Sequence, residues 1–249
     1  MVVLKTSREL GIMKEACRIS AGALQTVGNA VEPGITTAEL DAIAEKYIRS
    51  QGGEPNFKNY HGYPATACIS INNEVIHGIP SAKRVLKAGD IVSVDLGAKF
   101  NGYHGDNAAT FACGDVSEEA KRLMQTTKDA LYEGIKAATA GSRIGDISSA
   151  VQRTVEAAGF SVVRQYVGHG IGTQLHEAPE VPNFGTAGRG IRLLPGMTLA
   201  IEPMVNAGGF DVKVLPDGWT VITKDGSLSA HFEHTIAITT DGPQIMTIA

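Results

Sequence analysis

Apolar positions along the chain change period several times, and each change marks an element. Met13, Cys17, Ala21 and Leu24 recur at helical intervals. Thr6-Ser7-Arg8-Glu9 precedes them with capping-box spacing, in which hydroxyl and carboxylate satisfy free N–H groups of the first turn. Pro33-Gly34 breaks this pattern, and Thr36-Thr37-Ala38-Glu39 opens a second capping box. Leu40, Ile43, Ala44, Tyr47 and Ile48 then supply an apolar face that Gly52-Gly53 ends. From Ala67 to Cys113 the pattern is that of strands, with an apolar run at Ile91–Val94 and a two-residue hairpin signal at Asn101-Gly102. Two more helices are predicted near 117–139 and 145–158, followed by a second β-rich stretch from Ser161 onward.

Two helices followed by strands thus occur twice, and one constant shift relates the two copies. Moving 107 positions carries Gly34 to Gly141, Glu39 to Asp146, Leu40 to Ile147, Ile48 to Val155 and Gly52 to Gly159. The same shift takes Lys14 to Lys121, Ala23-Leu24 to Ala130-Leu131, and Leu86–Gly89 to Leu193–Gly196. It also lays Val94-Asp95 over Ile201-Glu202. A two-unit repeat does not make a solenoid. It predicts one domain over 1–249, with halves of roughly 6–113 and 114–249 about a pseudo-two-fold axis. Ligand sites favour such internal interfaces.

Composition narrows the class. At 249 residues, 43% hydrophobic and 19% charged, the chain reads as a soluble globular protein with a large core. A net charge of −4 without a basic run gives no reason to expect nucleic acid or an anionic membrane as partner. The first residues, Met1–Lys5, lack the apolar stretch of a signal peptide or a membrane helix. Cys17, Cys68 and Cys113 are scattered, without a CxxC pair, and point to a reducing cytoplasm.

The charges that matter end apolar runs. Asp95 closes Ile91-Val92-Ser93-Val94, where a carboxylate buried without a partner is costly. A two-residue turn at Asn101-Gly102 places Asp95 opposite position 108, so Asp106 falls on the same face, roughly 7 Å away diagonally. Glu202 ends the matching run Met197–Ile201, and Glu233 lies in His231–Ile238, another strand-like run. This second pair is related by a shift of 127 rather than 107, because the linker from Asn206 to Ser229 is longer. Four carboxylates on one buried face need compensating charge, and two divalent cations would supply it. Oxygen ligands with imidazole suit Mn, Co, Fe or Zn.

Seven histidines are present. His61, His104, His231 and His234 take the default reading of structural or surface residues. His169 is set among glycines in Val167-Gly168-His169-Gly170-Ile171-Gly172, which lets the backbone come close. His77 and His176 each stand three residues before a proline, in comparable places of the two halves, as proton donors beside the acids would. No GxGxxG, GK[ST], GxSxG or HExxH motif offers a rival chemistry.

Over essentially its whole length the chain resembles the methionine aminopeptidases of the shorter type. The resemblance rests on His61-Gly62-Tyr63-Pro64, His77-Gly78-Ile79-Pro80, Asp95 with Asp106, Gly168–Gly172, His176, Ile201-Glu202-Pro203 and Glu233. It implies the pita-bread fold, an α+β architecture with two pseudo-symmetric halves around a mostly antiparallel curved sheet. It also implies two metals: Asp95 on one, Asp106 and Glu233 bridging, His169 and Glu202 on the other. Glu202 would shuttle a proton, His176 would hydrogen-bond the scissile carbonyl, and His77 would contact the scissile amide nitrogen. Tyr60, Tyr63, Cys68, His77, Leu175 and Trp219 would line a methionine pocket, as aromatic and sulfur groups suit a thioether. Leu175 stands where many relatives carry an aromatic residue.

Some members bind a monovalent cation through the segment matching Asn72–Ile76 and a carbonyl near Ser229, although the segment here is shifted by one residue. The implied activity is removal of the initiator methionine from nascent chains with a small second residue. The implied context is a cytoplasmic monomer, with the ribosome as a docking partner. The resemblance carries no zinc-finger extension and no proline-rich docking segment before the catalytic sequence. A proline-directed aminopeptidase of the same fold would share all five ligands but usually carries a further N-terminal domain. A non-catalytic binding module on this fold would be expected to lose ligands.

Overall fold

The computed structural model of the chain describes residues 2–248; Met1 and Ala249, the ends of the expected domain, lie outside them. The helices are α1 (Ser7–Asn29), α2 (Thr37–Ser50), α3 (Glu118–Ala137) and α4 (Ile144–Ala157). Both predicted capping boxes form. Thr6 N–H donates to Glu9 at 2.7 Å and Thr36 N–H to Glu39 at 2.9 Å, while each threonine hydroxyl oxygen accepts the N–H three residues on.

The main sheet has nine strands: β1 (Glu54–Pro55), β2 (Ala67–Ile71), β3 (Ile91–Phe100), β4 (Tyr103–Ala112), β5 (Gly168–Gly170), β6 (Glu177–Val181), β7 (Thr198–Ile201), β8 (Glu233–Thr239) and β9 (Gly242–Ile245). Its order is β1-β3-β4-β8-β7-β5-β6, with β2 also on β3 and β9 also on β8, and every pairing is antiparallel. The sheet is therefore continuous across the two halves, through the β4–β8 pair. Apolar faces of α1 and α2 (Ile19, Leu24, Leu40, Ile48) close over β2 and β3, and those of α3 and α4 (Leu131, Ile135, Ile147) close over β7 and β8.

The sequence shift recurs in the backbone. Gly34 and Gly141 have φ of 100° and 94°, and Gly89 and Gly196 have 97° and 92°. The isolated bridges Thr36–Val85 and Arg143–Arg192 occupy equivalent places. The longer linker of the second half forms a hairpin, Val212–Val214 with Val221–Thr223, that pairs with Glu74–Ile76 of the first half. That insertion absorbs the extra residues between Glu202 and Glu233.

Helix α1 lies directly on β4 at Gly105, where an added Cβ would stand 2.6 Å from both N and Cα of Cys17. Neither atom belongs to a flexible side chain. Gly105→Ala is therefore expected to destabilise the fold by about 1–3 kcal/mol, as overpacking does. An unchanged denaturant midpoint would show that the helix gives way freely.

Candidate metal centre and active site

Strand register brings the five expected ligands to one face. Asn101, at φ 48°, and Gly102, at 85°, form the left-handed turn that fixes the β3–β4 hairpin, so Asp95 pairs with Ala108 and Gly97 with Asp106. Ala108 is also paired with Glu233 across β4 and β8. Asp95, Ala108 and Glu233 thus form a row across three strands, and Asp106 is two residues along the same face. The register that pairs His234 with Ile201 sets Glu202 opposite Glu233. His169 pairs with Ala200, which shares the face of Glu202.

The glycines around His169 have a steric reason. A Cβ on Gly168 would run into the carbonyl oxygen of Ala200, and one on Gly170 into that of Ala178. Strand β5 can therefore lie tightly between β6 and β7 only as Gly-His-Gly.

Asp106 and Glu233 are 3% exposed and His169 is 7% exposed, while Asp95 and Glu202 are half-buried. One oxygen of Asp106, one of Glu233 and a ring nitrogen of His169 lie within 4.8 Å of one another. His169 Nδ1 stands 2.8 Å from the Gly170 carbonyl oxygen. A carbonyl only accepts, so Nδ1 carries the proton and Nε2 presents a lone pair. That Nε2 is 3.9 Å from Asp106 and 3.6 Å from Glu202. Burial, with His176 adding to it, holds the ring neutral by lowering its pKa to about 3.

The carboxylates show the opposite strain. Burial raises Asp95 to about 7. Burial first, and then one another's charge, raises Asp106, Glu202 and Glu233 well above the usual range. Asp95 Oδ1, Asp106 Oδ1 and Glu233 Oε1 are buried without a hydrogen-bond partner among the described residues. Unpaired oxygens and an imidazole lone pair converging in one pocket fit divalent cations, which would satisfy both the valences and the charge.

A cleft of about 80 Å³ opens onto this centre. Every residue expected to contact substrate lines it: Tyr60, Tyr63, Cys68, His77, Leu175, His176 and Trp219. Tyr63 donates to the carbonyls of Ala67 and Gly78 at 3.0 and 3.1 Å, which fixes its ring edge-on to Trp219 at 5.1 Å. His176 Nδ1 is 2.9 Å from the Tyr60 hydroxyl, and its ring lies 4.1 Å from that of His169. His77 is held at φ 60°, a conformation that costs a non-glycine residue energy and that clusters at functional sites. Its ring stands edge-on to Trp219 and Tyr166, and burial, with His176 adding to it, lowers its pKa to about 4.

Phe57 completes the cleft and carries no sequence signal of its own. His231 departs most from the default reading. It is 1% exposed, neither ring nitrogen has a hydrogen-bond partner among the described residues, and Nε2 faces Glu202 at 3.8 Å. Of the other default histidines, His104 contacts Asn56 at 3.2 Å, His234 contacts Thr247 at 2.8 Å, and His61 is exposed.

Comparison with known proteins agrees with this geometry. Residues 11–240 match metallopeptidase family M24. The chain is 54% identical over 247 residues to methionine aminopeptidase 1 of Bacillus subtilis, covering 99% of each chain. It is 53% identical over 248 residues to the methionine aminopeptidase of Clostridium perfringens, covering 100% of this chain and 99% of that one. The crystal structure of methionine aminopeptidase from Thermotoga maritima superposes with a TM-score of 0.99 at 46% identity, each chain being covered fully. A prolidase from Pyrococcus furiosus shares the fold, with a TM-score of 0.81 at 24% identity, over 99% of this chain and 66% of that one.

Proposed function

Since the chain belongs to metallopeptidase family M24 and, within it, to the methionine aminopeptidases, we propose that it removes N-terminal methionine from nascent chains whose second residue is small. The observation that carries this reading is that one cleft is lined both by Asp95, Asp106, His169, Glu202 and Glu233 and by the apolar side chains of Tyr63, Leu175 and Trp219. Asp95, Asp106, His169, Glu202 and Glu233 would hold two divalent ions, Co, Mn, Fe or Zn. When bound, such ions polarise the scissile carbonyl and acidify the attacking water. Tyr63, Cys68, Leu175 and Trp219 would take the methionine side chain and exclude bulk water.

Glu202 would accept the proton of the attacking water and return it to the leaving amine. His176, with Tyr60 donating to Nδ1, would keep its proton on Nε2 and donate it to the carbonyl oxygen as charge develops. His77, neutral at pH 7, would hydrogen-bond the scissile amide nitrogen as a positioning dipole. A monovalent cation near Asn72 and Ser229 belongs to the same proposal, and the Asn72 carbonyl accepts the Ser229 N–H at 2.8 Å, so the two segments meet. We read 1–249 as one catalytic domain, with its site where the halves join. Among the described residues no helix is long and apolar enough to cross a membrane. The proposal places a monomer in the cytoplasm, acting on chains at the ribosome.

Met-Ala-Ser and Ala-Pro peptides, offered with Mn or Co, test the assignment. Release of methionine from the first peptide alone is expected. Cleavage of only the proline peptide, or of neither, overturns it.

A further inference from the structure

His176 lies on the irregular segment Gly172–His176, which joins β5 to β6. What fixes this segment is a buried ion pair reaching to the far end of the chain. Lys5 Nζ is 2.5 Å from Glu177 Oε2, and the two side chains are only 3% and 9% exposed. The other carboxylate oxygen of Glu177 accepts from the Gln174 N–H at 3.1 Å and faces the Thr173 hydroxyl at 3.5 Å. One carboxylate therefore fastens both ends of the turn that carries Leu175 and His176. Lys5 is itself anchored: its N–H donates to the Gly196 carbonyl at 2.7 Å and its ammonium to the Val3 carbonyl at 3.2 Å.

Gly172 shows how closely this corner is built. A Cβ there would strike both the Lys5 side chain and Glu177 Oε1. The Gly172 carbonyl also accepts the His104 N–H at 2.9 Å, tying the turn to β4 beside Asp106. Burial alone would raise the Glu177 carboxyl, yet the hydrogen bonds from Lys5 and Gln174 bring it below its ordinary value. The Glu177 carboxylate is thus held charged, although ion pairs so buried contribute little to stability for the desolvation they require.

We propose that Lys5 is a positioning residue that acts through Glu177 to hold His176 at the scissile carbonyl. The inference rests on the reading of His176 given above. Hydrogen bonding of a carbonyl oxygen is sensitive to small displacements, and a shift of about 1 Å can cost roughly 100-fold in rate. A mobile 172–176 segment would leave the metal centre in place while scattering the Nε2 donor of His176, and would loosen the one pocket wall that Leu175 supplies.

The test compares metal-loaded Lys5→Met, His176→Ala and the double variant on a methionyl peptide. Lys5→Met keeps the side-chain length and removes the charge. It is expected to lower kcat roughly 10- to 100-fold, with bound metal unchanged within about twofold and any rise in KM, from the loosened Leu175, well below the fall in kcat. Added to His176→Ala, it is expected to cost less than about twofold more, because residues acting as a unit are not additive. Unpaired Glu177 could unfold the single variant, so Lys5→Met with Glu177→Gln removes both charges and carries the same test. Wild-type kcat in Lys5→Met, a loss confined to KM, or an equal loss in both backgrounds overturns the positioning role. Full activity in His176→Ala overturns instead the reading of His176, a separable outcome.

Discussion

Replacing Asp106 with alanine is expected to bring turnover of a methionyl peptide to background while the fold persists. An Asp106 oxygen lies within 4.8 Å of both a His169 ring nitrogen and a Glu233 oxygen, so its loss removes a central oxygen of the proposed ligand set. The cost should exceed the roughly 10- to 100-fold typical of losing an outer-shell partner. Stability moves the other way or not at all. The backbone of Asp106 stays locked to β8, its N–H donating to Thr235 Oγ1 at 3.2 Å and its carbonyl accepting the Thr235 hydroxyl at 2.8 Å. With no cation present, burial and the charge of Asp95 disfavour its ionised side chain. Kinetics, metal titration and circular dichroism on the same preparation separate these effects. Turnover retained in Asp106→Ala would sink the shared-ligand role.

This site was readable in advance because it depends on strand register, and register is written locally. The Asn101-Gly102 turn determines which residue faces Asp95, and strand alternation then puts Asp106 beside it. Glu202 follows from the repeat, whereas Glu233 stands outside the constant shift and is marked only by its strand-like run. Helix boundaries were legible for a similar reason, since capping threonines and terminal glycines act within one turn.

What sequence did not reveal lies in contacts with no period. His231 sits on Ser229–His231, a short strand paired with Met204–Asn206 outside the main sheet. Nothing local distinguishes a buried imidazole facing Glu202 from a surface one. Phe57 and Tyr166 come from irregular segments, and Lys5 meets Glu177 across 172 positions. Long-range ion pairs of this kind leave no spacing to detect.

Chelating the ions away is expected to make stability fall as pH rises from about 7.5 to 8.5, above the histidine titration, and to widen the Tm gap to the loaded protein. The sign follows from proton counts. Unfolded carboxylates titrate near 4. In the fold, burial carries Asp95 to about 7, and burial with mutual repulsion raises Asp106, Glu202 and Glu233 too. Stripped native protein therefore keeps protons that the unfolded chain has released. That stabilisation is complete below the unfolded values and is lost as pH climbs through the folded ones, at about 1.4 kcal/mol per pH unit for each proton held. The buried histidines act oppositely but in another window. His77, His169 and His231, lowered mainly by burial to about 4, 3 and 3, destabilise the fold only as pH drops below their unfolded value near 6.5. From about one pH unit above that value they are almost wholly neutral in both states, and there the carboxylates set the slope. Bound cations keep the same carboxylates ionised, so the loaded protein should lose this slope and gain stability by mass action. Melting curves of chelated and Mn-loaded protein at several pH values between about 7.5 and 8.5 provide the check. Asp106→Ala, with one fewer buried acid, should flatten the slope of the chelated form. A Tm of the stripped protein that stays level or rises across this range would mean that the four carboxylates are not mutually buried, and the case for a cation-dependent centre would fall with it.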